Sequence, residues 1–228
     1  MQVVFMIILT YGLYRLAKWL AKRIPILLFH PLLFTPALII IVIHLLDIEP
    51  THYSDGTALL THMLGPATIA FAIPIYKHIH FFRKNFAMIM IAVIIGSFVA
   101  IFSTLALALL VKLEQHLLIS LLPRSITTPL AMEVSASIDG VPALTIVFVI
   151  LTGIMGSLMA PFIFKIFRIK TPMAKGLALG MSAHAVGTNR AIEYGDEATT
   201  FSTLAMIFAG IVTVILGLTL LPQLVALL

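Results

Sequence analysis

The sequence predicts an all-α integral membrane protein, a multi-span helical bundle with internal repeats and broken (discontinuous or re-entrant) helices. Three observations predict it. First, 61% of the 228 residues are hydrophobic and only 10% are charged, with a mean hydropathy of +1.15. That leaves too few charges to cover the surface of a soluble domain of this length. Second, apolar runs recur at the length of about twenty residues that a helix needs to cross the hydrocarbon core. The runs are continuous, whereas membrane β-strands alternate polar and apolar over about ten residues. Third, three less apolar stretches lie between the runs, each long enough to enter a bilayer and each interrupted by Pro, Gly, Ser or Thr.

The first run, residues 2–20, is apolar and then basic ("MQVVFMIILTYGLYRLAKWLAKR"). A secretory signal has the reverse order, so this stretch reads as a retained first span. The second run, 26–46, contains His30, Pro31 and Pro36, which predict a kink. The remaining clear spans are 86–111, 142–167 and 198–221. The interrupted stretches are 54–80, 114–140 and 171–197. Pro66, Pro123, Pro129 and Gly187 mark the breaks. Non-helical backbone inside a membrane survives only where protein buries it or it lines a cavity. In secondary transporters such breaks form substrate sites.

A shift of 57 positions lays "PATI" (66–69) over "PRSI" (123–126). It also brings Gly96, Gly153 and Gly210 into register, and Thr68, Ser125 and Ser182. The matches fall at equivalent places, a polar break followed by a glycine in the next span, which predicts an internal repeat.

Charge predicts orientation. Lys18, Lys22 and Arg23 form one basic cluster, Lys77, Arg83 and Lys84 a second, and Lys165, Arg168, Lys170 and Lys175 a third. The positive-inside rule puts all three in the cytoplasm and the N-terminus outside. That holds only if 114–140 enters and leaves by one face. If it crosses, the third cluster lies outside, and the sequence leaves both topologies open.

The formal charge of +5 fits basic cytoplasmic loops, and no basic patch interleaved with aromatics suggests nucleic acid. With no cysteine there is no disulfide framework, thiol nucleophile or cysteine-bound metal. The eight histidines show no metal-ligand spacing, and no catalytic motif is present. The expectation is therefore a protein that is not an enzyme and carries neither cofactor nor metal.

Arg124, in "LLPRSITTP" (121–129), is the most informative residue. An arginine near mid-membrane costs at least about 2.5–3.5 kcal/mol, so it needs a partner or a wet cavity. Its planar fork suits a carboxylate. Three readings stay open: a clamp for a substrate carboxylate, an internal pair with Glu133, or snorkelling to an interface. Ser125, Thr127 and Thr128 place hydroxyls nearby, and Pro129 can begin a second half-helix whose free N–H groups favour an anion. These hydroxyls can equally bond carbonyls freed by the prolines. In "SAHAVGTNRAIE" (182–193), His184, Thr188 and Asn189 are polar enough to join such a site. His184 and Glu193 are candidates for proton coupling. His184 as a satisfied structural hydrogen-bonder, and Arg190 paired with Glu193 on one helix face, are the plainer alternatives. "GLALG" (176–180) reads as a helix-packing face.

"LGPATIAFAIPIYKH", "LLPRSITTPLAMEVSASIDGVPALT" and "KGLALGMSAHAVGTNRAIEYG" resemble the signature blocks of the LrgB/CidB family. The resemblance runs from about residue 11 to 226 and makes residues 1–228 a single LrgB-like transmembrane domain. In length the chain is similar to the bacterial YohK-type members. The family implies a multi-pass protein of the cell inner (plasma) membrane. It carries two functional expectations. One is transport of small monocarboxylates, because plastid relatives exchange glycolate and glycerate and some bacterial relatives are implicated in pyruvate movement. The other is an antiholin-like or channel-type regulator of murein hydrolases and lysis. Either would work with a small LrgA/CidA-type membrane partner, and homo-oligomerisation stays open. In the first reading Arg124 holds the carboxylate, and Ser125, Thr127, Thr128, Thr68, His184, Thr188 and Asn189 supply polar contacts. The chain departs from the family pattern at His30–Pro31, where Asn-Pro is usual, and at Arg124, where lysine is common.

Overall fold

The computed structural model describes residues 2–24, 29–70 and 72–226. Every regular element described is helical. The chain divides into two compact units, 1–69 and 70–228.

The first unit contains α1 (Gln2–Arg23), α2 (Pro31–Leu45), α3 (Pro50–His62) and the short α4 (Leu64–Ile69). α1 packs antiparallel to α3. Met6 lies against Gly56, and the Thr10 hydroxyl is 2.7 Å from that of Tyr53. The second apolar run is shorter than the sequence suggests. α2 has 15 residues, about 22 Å at 1.5 Å per residue, and residues 25–28 lie outside those described. His30 does not kink this helix but caps it: its Nδ1 accepts from the Leu32 N–H at 3.3 Å. Pro66 sits within α4, and the side chain of Thr68 lies outside the described residues.

In the second unit, α5 (Ala72–Lys77) and α6 (Ile79–Lys84) lead into three long helices, α7 (Phe86–Leu110), α10 (Pro142–Ile166) and α12 (Asp196–Val225). These three and α1 are the helices long and apolar enough to cross a membrane among the described residues. α12 is the innermost, with 56% of its most apolar window buried against 22% for α7 and α10. Between α7 and α10 lie α8 (Gln115–Leu121) and α9 (Thr128–Ser137), and between α10 and α12 lies α11 (Pro172–Ala191).

The segment 111–141 re-enters. The Ser120 hydroxyl accepts from the Val141 N–H at 2.8 Å, so the end of α8 touches the start of α10. The Thr145 hydroxyl bridges the Ser120 carbonyl and the Ser135 hydroxyl at 2.9 and 2.7 Å, bringing the end of α9 to the same level. α9 runs parallel to α12, with Leu130 against Gly210 and Val134 against Gly217. The chain thus goes in through α8, turns at 122–127 and comes out through α9 beside the end of α7.

The segment 171–195 re-enters from the opposite end. The first part of α11 runs parallel to α12: Gly176 rests on Ala198 and Phe201, and Gly180 on Ser202 and Ala205. The helix breaks at His184, whose φ of 41° and ψ of −128° are not helical. Beyond the break the chain turns back, and Gly187 packs on the Leu179 carbonyl and on Ala183. A continuous helix would hold residues 179 and 187 about 12 Å apart. By residue 194 the chain has returned to its entry point, since the Lys175 ammonium lies 4.8 Å from the centre of the Tyr194 ring.

α7, α10 and α12 therefore cross in alternating directions, and two hairpins enter from opposite faces. Each repeat of hairpin plus long helix contains one crossing, so adjacent repeats are inverted. This settles the topology that charge left open. Arg83 and Lys84 precede α7, Lys165 lies in the last turn of α10, and Arg168 and Lys170 follow it, at the same end of the unit. The positive-inside rule makes that end cytoplasmic. The repeat also reaches the helix ends. α7 and α10 each stop at a basic residue in left-handed conformation, Lys112 (φ 54°) and Arg168 (φ 52°). The next N–H then bonds five residues back, Leu113 to Ala108 and Ile169 to Phe164, both at 2.9 Å, which satisfies carbonyls the helix leaves free.

Candidate functional site

The glycines aligned by the repeat sit at the middles of the three long helices, and each makes room for a hairpin side chain. A Cβ on Gly96 would lie 2.7 Å from Met181 Cε, one on Gly153 2.6 Å from His184 Cε1, and one on Gly210 2.7 Å from Leu130 Cδ1. Small residues let hairpin and helix approach closely where no hydrophobic effect drives association. The tips of the two hairpins consequently meet inside the unit. The turn residues Pro123, Ser125 and Ile126 and the second hairpin's Met181 line one small cavity of about 10 Å³, with Ser97 of α7 and Thr213 of α12.

Arg124 points into a larger cavity of about 550 Å³ and is the only charged residue lining it among the described residues. Its walls come from α7 (Thr104, Leu107), the first hairpin (Leu121, Arg124), α10 (Phe148, Thr152, Gly156) and the second hairpin (Ser182). The volume lies within the roughly 300–1,000 Å³ usual for small-molecule sites. Arg124 Nε donates to Thr104 Oγ1 at 3.1 Å and Nη1 to Thr152 Oγ1 at 3.2 Å. A guanidinium has five N–H donors. Three therefore lack a partner among the described residues, including both on Nη2, and a second N–H on Nη1 completes the fork that a carboxylate can take. By helix rise, Thr104 lies about 9 Å from the end of α7 and Thr152 about 15 Å from the start of α10, so the guanidinium sits between the two helices and away from their ends.

No pair forms between Arg124 and Glu133. Glu133 is exposed, and the only ion pair among the described residues joins Arg190 to Glu193. Glu133→Gln should accordingly leave the melting temperature unchanged and any Arg124-dependent activity within about twofold of wild type. A loss comparable to that from replacing Arg124 would restore the pair.

The other residues singled out from the sequence are placed as follows. Ser125 faces the small cavity, not the Arg124 cavity. Thr127 is buried just before α9 with no partner for its hydroxyl among the described residues, and Thr128 and Pro129 begin that helix. Thr188 bonds back to the His184 carbonyl at 3.0 Å and meets the Ser202 hydroxyl at 2.9 Å, so it ties the second hairpin to α12. Asn189 is exposed, and Glu193 pairs with Arg190. None of these lines the Arg124 cavity. Sequence reasoning missed Thr104 and Thr152, because a lone threonine in an apolar span commonly bonds its own helix, as Thr104 also does to the Ala100 carbonyl at 2.6 Å.

His184 is buried at the elbow of the second hairpin, with Nε2 2.9 Å from the Val149 carbonyl. A non-glycine residue at this φ and ψ costs about 1–3 kcal/mol. His184→Gly relieves that cost while losing the hydrogen bond, worth about 0.5–1.5 kcal/mol. His184→Ala loses the bond and keeps the strain. Thermal unfolding in detergent should therefore rank glycine above alanine by about 1 kcal/mol or more. The reverse order would show that the elbow is not strained.

Over residues 10–223 the sequence matches the LrgB-like family. The chain belongs to the LrgB-like family. It is 43% identical over 205 residues to the uncharacterized protein YwbG of Bacillus subtilis strain 168, covering 90% of this chain and 91% of that one. It is 34% identical over 188 residues to the antiholin-like protein LrgB of Bacillus cereus strain B4264, covering 80% and 82%. No solved structure matches the chain. For this LrgB-like chain, then, membership and membrane-spanning architecture stand together, and Arg124 lies in the part that the family match covers.

Proposed function

We infer that this chain acts in the cell membrane in the antiholin-like role named for its LrgB relatives, and that its molecular work is to bind and pass a small organic monocarboxylate at Arg124. The relatives' names support the first half. The second half rests on one observation: a guanidinium deep in an apolar unit, held by two hydroxyls, paired with no carboxylate among the described residues and facing a cavity. A cation so placed is unfavourable unless a ligand or water completes its shell. A 2-hydroxy or 2-keto acid such as glycolate, glycerate or pyruvate supplies a carboxylate for the fork and an oxygen for a neighbouring hydroxyl. Inverted repeats with broken helices meeting at mid-membrane suit movement of a solute between two faces.

The alternative keeps the antiholin-like role but passes no solute: the chain regulates a small LrgA/CidA-type partner, with the hairpins as contacts. Uptake of labelled pyruvate, glycolate and glycerate into proteoliposomes, with and without that partner, separates the two. Saturable uptake with mutual competition supports the solute reading. No uptake under either condition, together with partner-dependent lysis in cells, supports the regulatory one.

A further inference from the structure

A second cavity, of about 430 Å³, runs along the other half of α10, between Met159, Ile163 and Phe164 on one side and Ala178 and Leu179 of the second hairpin on the other. It extends toward the basic end of the unit. The Arg124 cavity extends the opposite way, toward Val111 and Leu113 at the end of α7. The two cavities share two residues, Gly156 of α10 and Ser182 of the second hairpin. Gly156 is tight here: a Cβ on it would lie 2.8 Å from the Ala183 Cβ and 3.5 Å from the Ser182 carbonyl. The Ser182 hydroxyl, although it donates to the Ala178 carbonyl at 2.7 Å, is on an exposed residue and keeps its acceptor face.

We propose that Gly156 and Ser182 form the constriction of a solute path that follows α10 through the second unit, joining an outer cavity that contains Arg124 to an inner cavity that opens toward the basic loops. The path rests on the proposed solute function but does not depend on which acid is carried. Ser182 lies at the tip of the hairpin entering from the basic end and Arg124 at the tip of the hairpin entering from the other. A solute held by Arg124 therefore has only the Gly156–Ser182 junction between it and the inner cavity. A larger residue at 156 would press on Ala183 and displace the hairpin that carries Ser182, since a Cβ there lies 2.8 Å from the Ala183 Cβ.

The chain has no native cysteine, so single cysteines can be read directly. Ser182→Cys, Leu113→Cys for the outer cavity and Ile163→Cys for the inner one are reacted with a membrane-impermeant anionic methanethiosulfonate in right-side-out and in inside-out vesicles. The expected result is modification of Leu113→Cys from outside only, Ile163→Cys from inside only and Ser182→Cys from both sides. Adding Gly156→Val to Ser182→Cys should slow labelling from at least one side more than tenfold. Ser182→Cys changes only an oxygen to a sulfur, and its melting temperature against the wild type checks that it folds. Labelling of Ser182→Cys from one side only, or from neither, as expected if lipid chains fill the cavities, overturns the path. Protection by pyruvate is a separate readout. Two-sided labelling without protection by any of the three acids leaves the path standing and removes the monocarboxylate reading.

Discussion

Proteoliposomes carrying Arg124→Gln should take up pyruvate, glycolate and glycerate no faster than protein-free liposomes, while the purified variant should melt at or above the wild-type temperature. Both halves follow from the same geometry. A charge-assisted hydrogen bond is worth about 1.5–3 kcal/mol, so losing the fork should weaken binding roughly 10- to 150-fold. Arg124→Lys keeps the charge but not the planar pair of donors, and should fall between the two. Stability should not suffer, because the Arg124 guanidinium is bonded only to the hydroxyls of Thr104 and Thr152 among the described residues, and the Thr104 hydroxyl keeps its bond to the Ala100 carbonyl. Removing an unpaired cation from the bilayer interior also removes its desolvation cost. An Arg124→Gln protein that transports normally, or one that unfolds, would show the residue to be structural.

Gly180→Leu should strongly destabilise the second unit, by about 3 kcal/mol, since overpacking a tight contact typically costs 1–3 kcal/mol. A Cβ at 180 would press on the Ser202 carbonyl, with the Ser202 carbonyl carbon at 2.9 Å and the Ala205 Cβ at 3.0 Å. The obstacle is helix backbone, so rotating a side chain cannot relieve it. The hairpin must lift off α12, taking with it the Thr188–Ser202 contact and the cavity wall at Ser182. Gly12 is the control, because a Cβ placed there would meet nothing within 4 Å among the described residues. Gly12→Ala should raise stability by about 0.5–1 kcal/mol through helix propensity alone. Thermal unfolding in one detergent reads both, and equal small effects at the two positions would mean that the hairpin does not seat on α12.

Hydropathy made the long helices legible, because a span must be apolar whatever it packs against. α1, α7, α10 and α12 appear close to the runs read from sequence. Breakers made the hairpin turns legible, since Pro123 and Pro129 flank the first turn and the small residues around His184 carry the second. The "GLALG" face was also readable, because glycines four apart have few other uses in a membrane helix. Pairing across the fold was not. Whether 114–140 crosses or returns is decided by Ser120, Ser135 and Thr145 meeting, and each of those hydroxyls alone looks like an ordinary helix residue. The same ambiguity hid Thr104 and Thr152. Ser125 was adjacent to Arg124 in sequence, but in a turn adjacent side chains point to different sides, and it faces the smaller cavity. His30 looked like part of a proline kink because sequence does not show where α2 begins; it lies one residue before that start, where a ring nitrogen can cap.

If Arg124, between two hairpins entering from opposite faces, binds the carboxylate of a small acid, the purified protein must show that binding by itself. Titration calorimetry of the wild type and of Arg124→Gln against pyruvate, glycolate and glycerate measures it without a membrane or a partner. The expected result is saturable binding of at least one acid to the wild type and none to the variant over the same concentration range. Equal binding to both proteins, or no binding of any of the three to a folded wild type, would contradict the assignment of Arg124 as the carboxylate site.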